Sequence, residues 1–129
     1  SAYMNEPHEL AAAVAELRAA GFIIEMDDFG SGYSSLNALK DLDIDVLKLD
    51  MKLVSEIGDG NEKNDNILRN VVHMANALNM SVIAEGVETE VQAGYLKSIN
   101  CNYMQGYYFS KPIKAEDIEK LFEESKNNN

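Results

Sequence analysis

Carboxylates recur in this chain where short apolar runs end. Asp27 and Asp28 close the run Phe22-Ile23-Ile24-Glu25-Met26-Asp27-Asp28, Asp50 closes Asp45-Val46-Leu47-Lys48-Leu49-Asp50, and Glu85 and Glu88 follow Ser81-Val82-Ile83-Ala84. In parallel α/β folds strand ends converge on one rim, so carboxylates distant in sequence can meet there around a hard metal ion. Lys48 and Asp50 have the same strand parity and share a face. Asp27 and Asp28 would face opposite ways in a regular strand, but a backbone turning at a strand exit can bring both toward one ion pair. Two hard cations about 3.5–4 Å apart, sharing a bridging carboxylate, could activate water and stabilise an in-line phosphoryl displacement. Lys48 could orient or deprotonate that water. The same carboxylates also read as helix N-caps and solvated strand ends, and the residues alone leave both readings open.

The elements that must position these groups alternate in type. Leu10, Val14 and Leu17 recur at helical spacing between Pro7 and Gly21, which predicts an amphipathic helix over roughly His8 to Ala20. A strand is expected from Phe22. Beyond the Gly30-Ser31-Gly32-Tyr33-Ser34-Ser35 loop, Leu36, Leu39 and Leu42 predict a short helix leading to a strand at Val46 to Leu49. Gly58-Asp59-Gly60-Asn61 is a loop by its turn chemistry, and Glu62 to Asp65 a charged loop or helix start. Ile67, Val71, Met74 or Ala75, and Leu78 mark a helix feeding a strand at Val82 to Ala84. Thr89 followed by Gln92 fits a capping box, with Val91, Tyr95, Leu96 and Ile99 as the apolar face behind it. Tyr103 to Gln105 is expected as a last short strand, and Ile118, Leu121 and Phe122 as the buried side of a closing helix after Pro112. One helix and then four strand–helix units are the grammar of a parallel α/β sheet. An eight-stranded barrel takes about 250 residues, so four units make either a small open sheet or half of something larger.

Composition bounds what the rim can serve. With 129 residues, 46% hydrophobic, the chain can build one domain with a real core. No apolar run is long enough to cross a bilayer and the N-terminus has no signal-peptide pattern, which predicts a cytoplasmic segment with no membrane span. The formal net charge of -11 argues against duplex nucleic acid, whose phosphates need clustered Lys and Arg. A small phosphorylated substrate remains open if divalent cations stand between carboxylate and phosphate. Cys101 is the only cysteine, so an intramolecular disulfide is impossible and a core position is expected. His8 and His73 fall in helical stretches away from the strand exits. Met26, Met51, Met74, Met80 and Met104 are expected to pack, as are Tyr33, Tyr107 and Tyr108.

Four segments, in order and spacing, carry a family resemblance: Asp27-Asp28-Phe29-Gly30-Ser31-Gly32-Tyr33-Ser34-Ser35-Leu36, Leu47-Lys48-Leu49-Asp50, Ala84-Glu85-Gly86-Val87-Glu88-Thr89 and Gln105-Gly106-Tyr107-Tyr108-Phe109-Ser110-Lys111-Pro112. Together they resemble the EAL-domain family over nearly the whole chain. The resemblance implies a (β/α)8, TIM-like barrel hydrolysing cyclic di-GMP to linear pGpG with Mg2+ or Mn2+. It implies that residues 1–126 form the C-terminal portion of such a domain, four βα units preceded by one helix, with 127–129 a frayed tail. By motif, Asp27 and Asp28 resemble the metal-binding pair, Asp27 as the bridge between ions. Lys48 resembles the lysine on the nucleophilic water, Asp50 its neighbour on the same strand face, and Glu85 a further acid of the metal and water shell. Glu88, Gln105, Lys111 and Pro112 resemble supporting groups near the substrate. The loop containing Gly30, Ser31, Gly32, Tyr33 and Ser34 resembles the family's mobile segment, and its glycines permit that motion.

The departures carry as much. The Glu-Ala-Leu tripeptide, the asparagine on a following strand and the Glu-x-Thr-Glu segment that complete the family's metal site are absent from these residues. Ser1-Ala2-Tyr3 is similar to the continuation after the last of them. The segment is therefore expected to be inactive alone, and to associate as a homo-oligomer such as a dimer or with the missing N-terminal half, because half a barrel leaves unpaired edges. A nucleotide-binding or protein-interaction module without catalysis is the alternative. Glu25 stands where a small or apolar residue is expected in the family. It has the strand parity of Asp27 and could pair with Lys48 one layer deeper, or be a habit of this lineage.

Overall fold

The computed structural model describes residues 7–29, 39–106 and 109–127. Helix α1 (Pro7–Ala19) leads to β1 (Glu25–Phe29), and β2 (Val46–Leu49) is followed by the short α2 (Met51–Ser55) and the long α3 (Glu62–Ala77). Then come β3 (Ser81–Val87), α4 (Glu90–Ser98), β4 (Tyr103–Gly106), β5 (Phe109–Lys114) and α5 (Ala115–Asn127). The strands form one sheet in sequence order, β1 to β4 parallel and β5 antiparallel to β4. Parallel neighbours need crossovers, which α2 and α3 supply between β2 and β3 and α4 supplies between β3 and β4.

Burial alternates with period two along β2, whereas in β3 Val82, Ile83 and Ala84 are all buried. Leu47, Leu49, Val82, Ala84 and Met104 are fully buried under the helices. Leu68, Val72 and Ala75 of α3, Ala93 and Leu96 of α4, and Ile118 of α5 close over them in a single core. Removing a Leu or Val side chain from water contributes about 1.5–3 kcal/mol each, so this layer dominates stability. Glu25, Val46, Lys48, Ile83, Glu85, Tyr103 and Gln105 lie at the alternate positions, on the sheet face away from the helices.

Several sequence expectations are met and several shift. Asn61 caps α3 by accepting from the Asn64 backbone N–H, and the Thr89–Gln92 capping box opens α4. Cys101 is buried, and that burial pushes its thiol up to about 12. Helix α1 exists, but only Val14 of its apolar face is buried, while Leu10 and Leu17 stay partly exposed. The buried stripe of α3 runs through Leu68, Val72 and Ala75, one position beyond the Ile67-based reading, and Ile67 and Leu78 are exposed. Strand β1 starts at Glu25 rather than Phe22, because its ladder partner β2 begins only at Val46. Phe22 and Ile23 are accordingly exposed. The fourth unit is not a plain strand and helix: β5 folds back on β4 before α5. Pro112 sits in that last strand of the sheet, where a missing N–H disrupts no central ladder. Helix α2, five residues directly after Asp50, carried no periodic signal. Of the predicted helix through Leu36, Leu39 and Leu42, residues 39–41 are helical and the earlier ones lie outside the described residues.

Polar ties fix the opposite end of the sheet. Asp45, just before β2, accepts from the Arg18 guanidinium at 3.0 Å and from the Ile24 backbone N–H at 2.8 Å, joining α1, β1 and β2. The guanidinium holds the Asp45 carboxyl below its ordinary range. Asn102 Oδ1 accepts from the Val82 backbone N–H at 2.8 Å, fixing the start of β3 against the segment leading into β4. Among the described residues no helix is long and apolar enough to cross a membrane.

Candidate active site

The strand exits meet around one ammonium group. Lys48 Nζ lies 3.2 Å from Glu85 Oε1, 3.6 Å from Glu25 Oε2 and 3.8 Å from Asp27 Oδ1. The lysine side chain is 21% exposed and Glu85 24%, whereas Asp27 is 64% exposed at the rim. Lys48 is thus the inner member and Asp27 the outer one. The hydrogen bond to Glu85 raises the Lys48 pKa, partial burial works against it, and the Glu25, Glu85 and Asp27 charges add to the rise.

Two irregularities in the sheet frame this cluster. Met26 pairs with Leu47 and Phe29 with Leu49, so two residues of β1, Asp27 and Asp28, stand against the single Lys48 of β2. An extra residue of this kind bends a strand and re-aims its side chains. It is the local device by which adjacent aspartates can escape strict alternation. On the other side, Glu85 pairs with Gln105 and Val87 with Gly106, leaving Gly86 as the extra residue of β3. Gly86 has φ +78, a conformation open to glycine and costly for other residues, and the Met51 side chain lies over it. Met51 is therefore not a core residue, as expected from sequence, but a half-exposed one on the rim.

Gly106 answers a different need. A Cβ built there would stand 1.9 Å from the Val87 carbonyl oxygen, so the position serves close approach of β4 to β3. Below it, Gln92 stiffens the turn after Glu85. Its side-chain oxygen accepts from the backbone N–H groups of Glu88 and Thr89 at 2.7 and 3.1 Å, and the Thr89 hydroxyl accepts from the Gln92 N–H. Gln92 is buried although polar, because all of this capping is internal. The capping box was readable from sequence, but its second function, holding the Glu85–Glu88 exit, was not.

The other expected site residues divide as follows. Asp50 is half-buried at the N-cap of α2, and its carboxylate makes no capping hydrogen bond, which leaves it for the rim. Gln105 is the ladder partner of Glu85. Glu88 is exposed beyond the exit of β3. Pro112 is exposed in β5, and Lys111 lies in the same strand with its side chain outside what is described. Asp28 is likewise placed by its backbone in β1 only. Gly30, Ser31, Gly32, Tyr33 and Ser34 lie outside the described residues, as does Tyr107 and Tyr108 of the last motif. His73 is exposed on α3, away from the cluster.

Relatives share this arrangement of segments. The chain is 39% identical over 118 residues to a protein of Escherichia coli strain K12 named as the probable cyclic di-GMP phosphodiesterase PdeG, covering 92% of this chain and 23% of that protein. Among solved structures, the PaMucR phosphodiesterase in complex with c-di-GMP superposes with a TM-score of 0.75 at 36% identity, over 92% of this chain and 47% of that one. Klebsiella pneumoniae BlrP1, solved with manganese and cyclic di-GMP, gives a TM-score of 0.70 at 34% identity over 84% of this chain and 27% of that one. The chain thus spans less than a quarter of that curated relative and about half of the PaMucR structure. A family model described as the EAL domain matches residues 1–112, and the chain belongs to that family.

Proposed function

We propose that this chain supplies one side of the active rim of a cyclic di-GMP phosphodiesterase, which hydrolyses the cyclic dinucleotide to linear pGpG with two divalent cations, Mg2+ or Mn2+. The carrying observation is the convergence of Asp27 and Glu85 on Lys48 at the strand exits. Family membership supports the substrate, and the manganese and cyclic di-GMP held by a 34% identical neighbour support the metal class.

The donor chemistry fits a hard cation. Asp27, Asp28 and Glu85 offer only carboxylate oxygens, and the ammonium between Asp27 and Glu85 marks a position where positive charge is favoured. Among the described residues no group of three or more His, Cys, Asp or Glu stands close enough to hold a metal. We therefore assign further ligands to the rest of the barrel, and we expect this chain to be inactive or nearly so without them. A bound cation would polarise the phosphate and lower the pKa of a coordinated water.

The chain's own groups then act as follows. Lys48 donates a hydrogen bond that orients the attacking water in line with the scissile P–O3′ bond. Water adds to phosphorus, the 3′ oxygen leaves and takes up a proton, and the product keeps a 5′ phosphate. Asp50 supports Lys48 from the same strand. Glu88, Gln105, Lys111, Pro112 and the segment from Gly30 to Ser34 flank the substrate. Residues 1–126 act as the C-terminal portion of the domain, in the cytoplasm, paired with its N-terminal half or as a dimer.

Chromatographic detection of pGpG from the barrel domain containing this sequence tests the assignment. Asp27→Ala and Lys48→Ala should each abolish product, and unchanged turnover in either variant would sink it. Calorimetry that finds cyclic di-GMP bound tightly, with or without Mg2+, but never hydrolysed would instead support a binding module. The ammonium already seated among the carboxylates is the observation that favours this second reading.

A further inference from the structure

Glu25 lies outside the four motif segments, yet it is one of three carboxylates within 4 Å of Lys48 Nζ among the described residues. Its place follows from register. Glu25 pairs with Val46 across the β1–β2 ladder, and Lys48 leaves the same sheet face two residues further along. A two-residue step is about 6.6 Å along a strand, which the lysine stem can fold back across. Glu25 therefore approaches the ammonium from below while Asp27 approaches it from the rim.

The three carboxylates differ in what else they must do. Asp27 and Glu85 stand at strand exits and are the groups assigned above to divalent cations. A dication held there would carry twice the charge of an ammonium, so Asp27 and Glu85 would be engaged by it in place of Lys48, and it would repel the ammonium. Without another anion the lysine would swing toward solvent, and the group that orients the water would be lost when the site becomes competent. Glu25 is set back from the rim, where it can keep its contact with Nζ while Asp27 and Glu85 turn to metal.

We propose that Glu25 is a positioning residue that anchors the Lys48 ammonium independently of Asp27 and Glu85. Its place in catalysis rests on the phosphodiesterase reading, whereas the contact itself does not. Glu25 is 39% exposed, so it remains accessible to solvent while its Oε2 stands 3.6 Å from Lys48 Nζ.

The test is the heteronuclear NMR signal of the Lys48 ammonium in this chain, which is visible only when the group is held and shielded from rapid exchange. Lys48→Arg assigns it by its disappearance. The double variant Asp27→Asn with Glu85→Gln imitates the loss of both rim carboxylates to metal without any metal present. The signal should persist in the double variant, vanish when Glu25→Gln is added, and return in part with Glu25→Asp in its place. Matching backbone amide spectra show that each variant is folded. Loss of the signal already in the double variant, or its persistence after Glu25→Gln, overturns the proposal. In the active barrel domain, Glu25→Gln should lower kcat severalfold with KM unchanged, and an unaltered kcat also counts against it. An enzyme that never hydrolyses cyclic di-GMP removes the phosphodiesterase reading alone, because the ammonium measurement uses neither substrate nor metal.

Discussion

Gly106→Ala tests how tightly the frame around the site is specified. The new Cβ would meet the Val87 carbonyl oxygen at 1.9 Å, with the Val87 carbon and nitrogen at 2.8 and 2.9 Å. Ordinary contact begins at 3.4 Å, so β3 and β4 must part by about 1.5 Å at this point. All three atoms are backbone, and no rotamer change can relieve the clash. Gly106 does not have positive φ, so the requirement is space rather than conformation. Overpacking costs typically about 1–3 kcal/mol, and the rigid neighbours place this case at the upper end. The reduced entropy of the unfolded chain returns about 0.4–1 kcal/mol, leaving a net loss of about 2–2.5 kcal/mol. With a urea m-value of about 1.5 kcal/mol/M the unfolding midpoint should fall by about 1.5 M. Gly94→Ala is the control. Apart from its own helix backbone, no heavy atom would lie within 4 Å of its Cβ, and it sits inside α4, so this change should stabilise by roughly 0.5–1 kcal/mol. A Gly106→Ala loss below about 1 kcal/mol would refute the close-approach argument.

Three further outcomes follow from the polar ties. Thr89→Ala should cost about 1 kcal/mol in urea unfolding, because it removes the acceptor for the Gln92 N–H. Gln92→Ala should cost more, since it strips the acceptor from both the Glu88 and Thr89 N–H groups. Asp45→Asn should lower stability near neutral pH by a constant amount. Because Arg18 depresses the folded-state pKa of Asp45, its charged-form contribution is present above the ordinary value of 3.8 and fades as pH falls through the folded one. Thermal melts of the two proteins should therefore draw together below about pH 4, and a gap that stays unchanged down to pH 2 would contradict this.

Much of the scaffold was legible because it rests on local chemistry. The Thr89-x-x-Gln92 capping box, the Gly58–Asn61 loop and the strand at Val46 to Leu49 follow from short-range patterns, and each is present as read. What escaped depends on neighbours distant in sequence. The α3 stripe shifted because Leu68 and Val72 meet the sheet, and periodicity alone cannot say which of two adjacent apolar rows does so. The β5 hairpin escaped because Pro112 argues against a strand unless that strand lies at an edge. At the site, strand parity paired Lys48 with Asp50 and Glu25 with Asp27, but that Lys48, Glu85 and Glu25 share one face follows only from the ladder register. The extra residues at Asp27–Asp28 and at Gly86 were not readable, since a bulge is defined only against its partner strand. Gly106 looked like part of a motif, and only the Val87 carbonyl explains it.

The central claim is that the exits of β1, β2 and β3 form a site for a hard divalent cation. Paramagnetic broadening of backbone amide signals by Mn2+, recorded on the barrel domain containing this sequence, measures it directly. Broadening should centre on the residues flanking Asp27, Lys48 and Glu85, be displaced by excess Mg2+, and disappear in Asp27→Ala. Broadening centred elsewhere, or undiminished in that variant, would contradict the account.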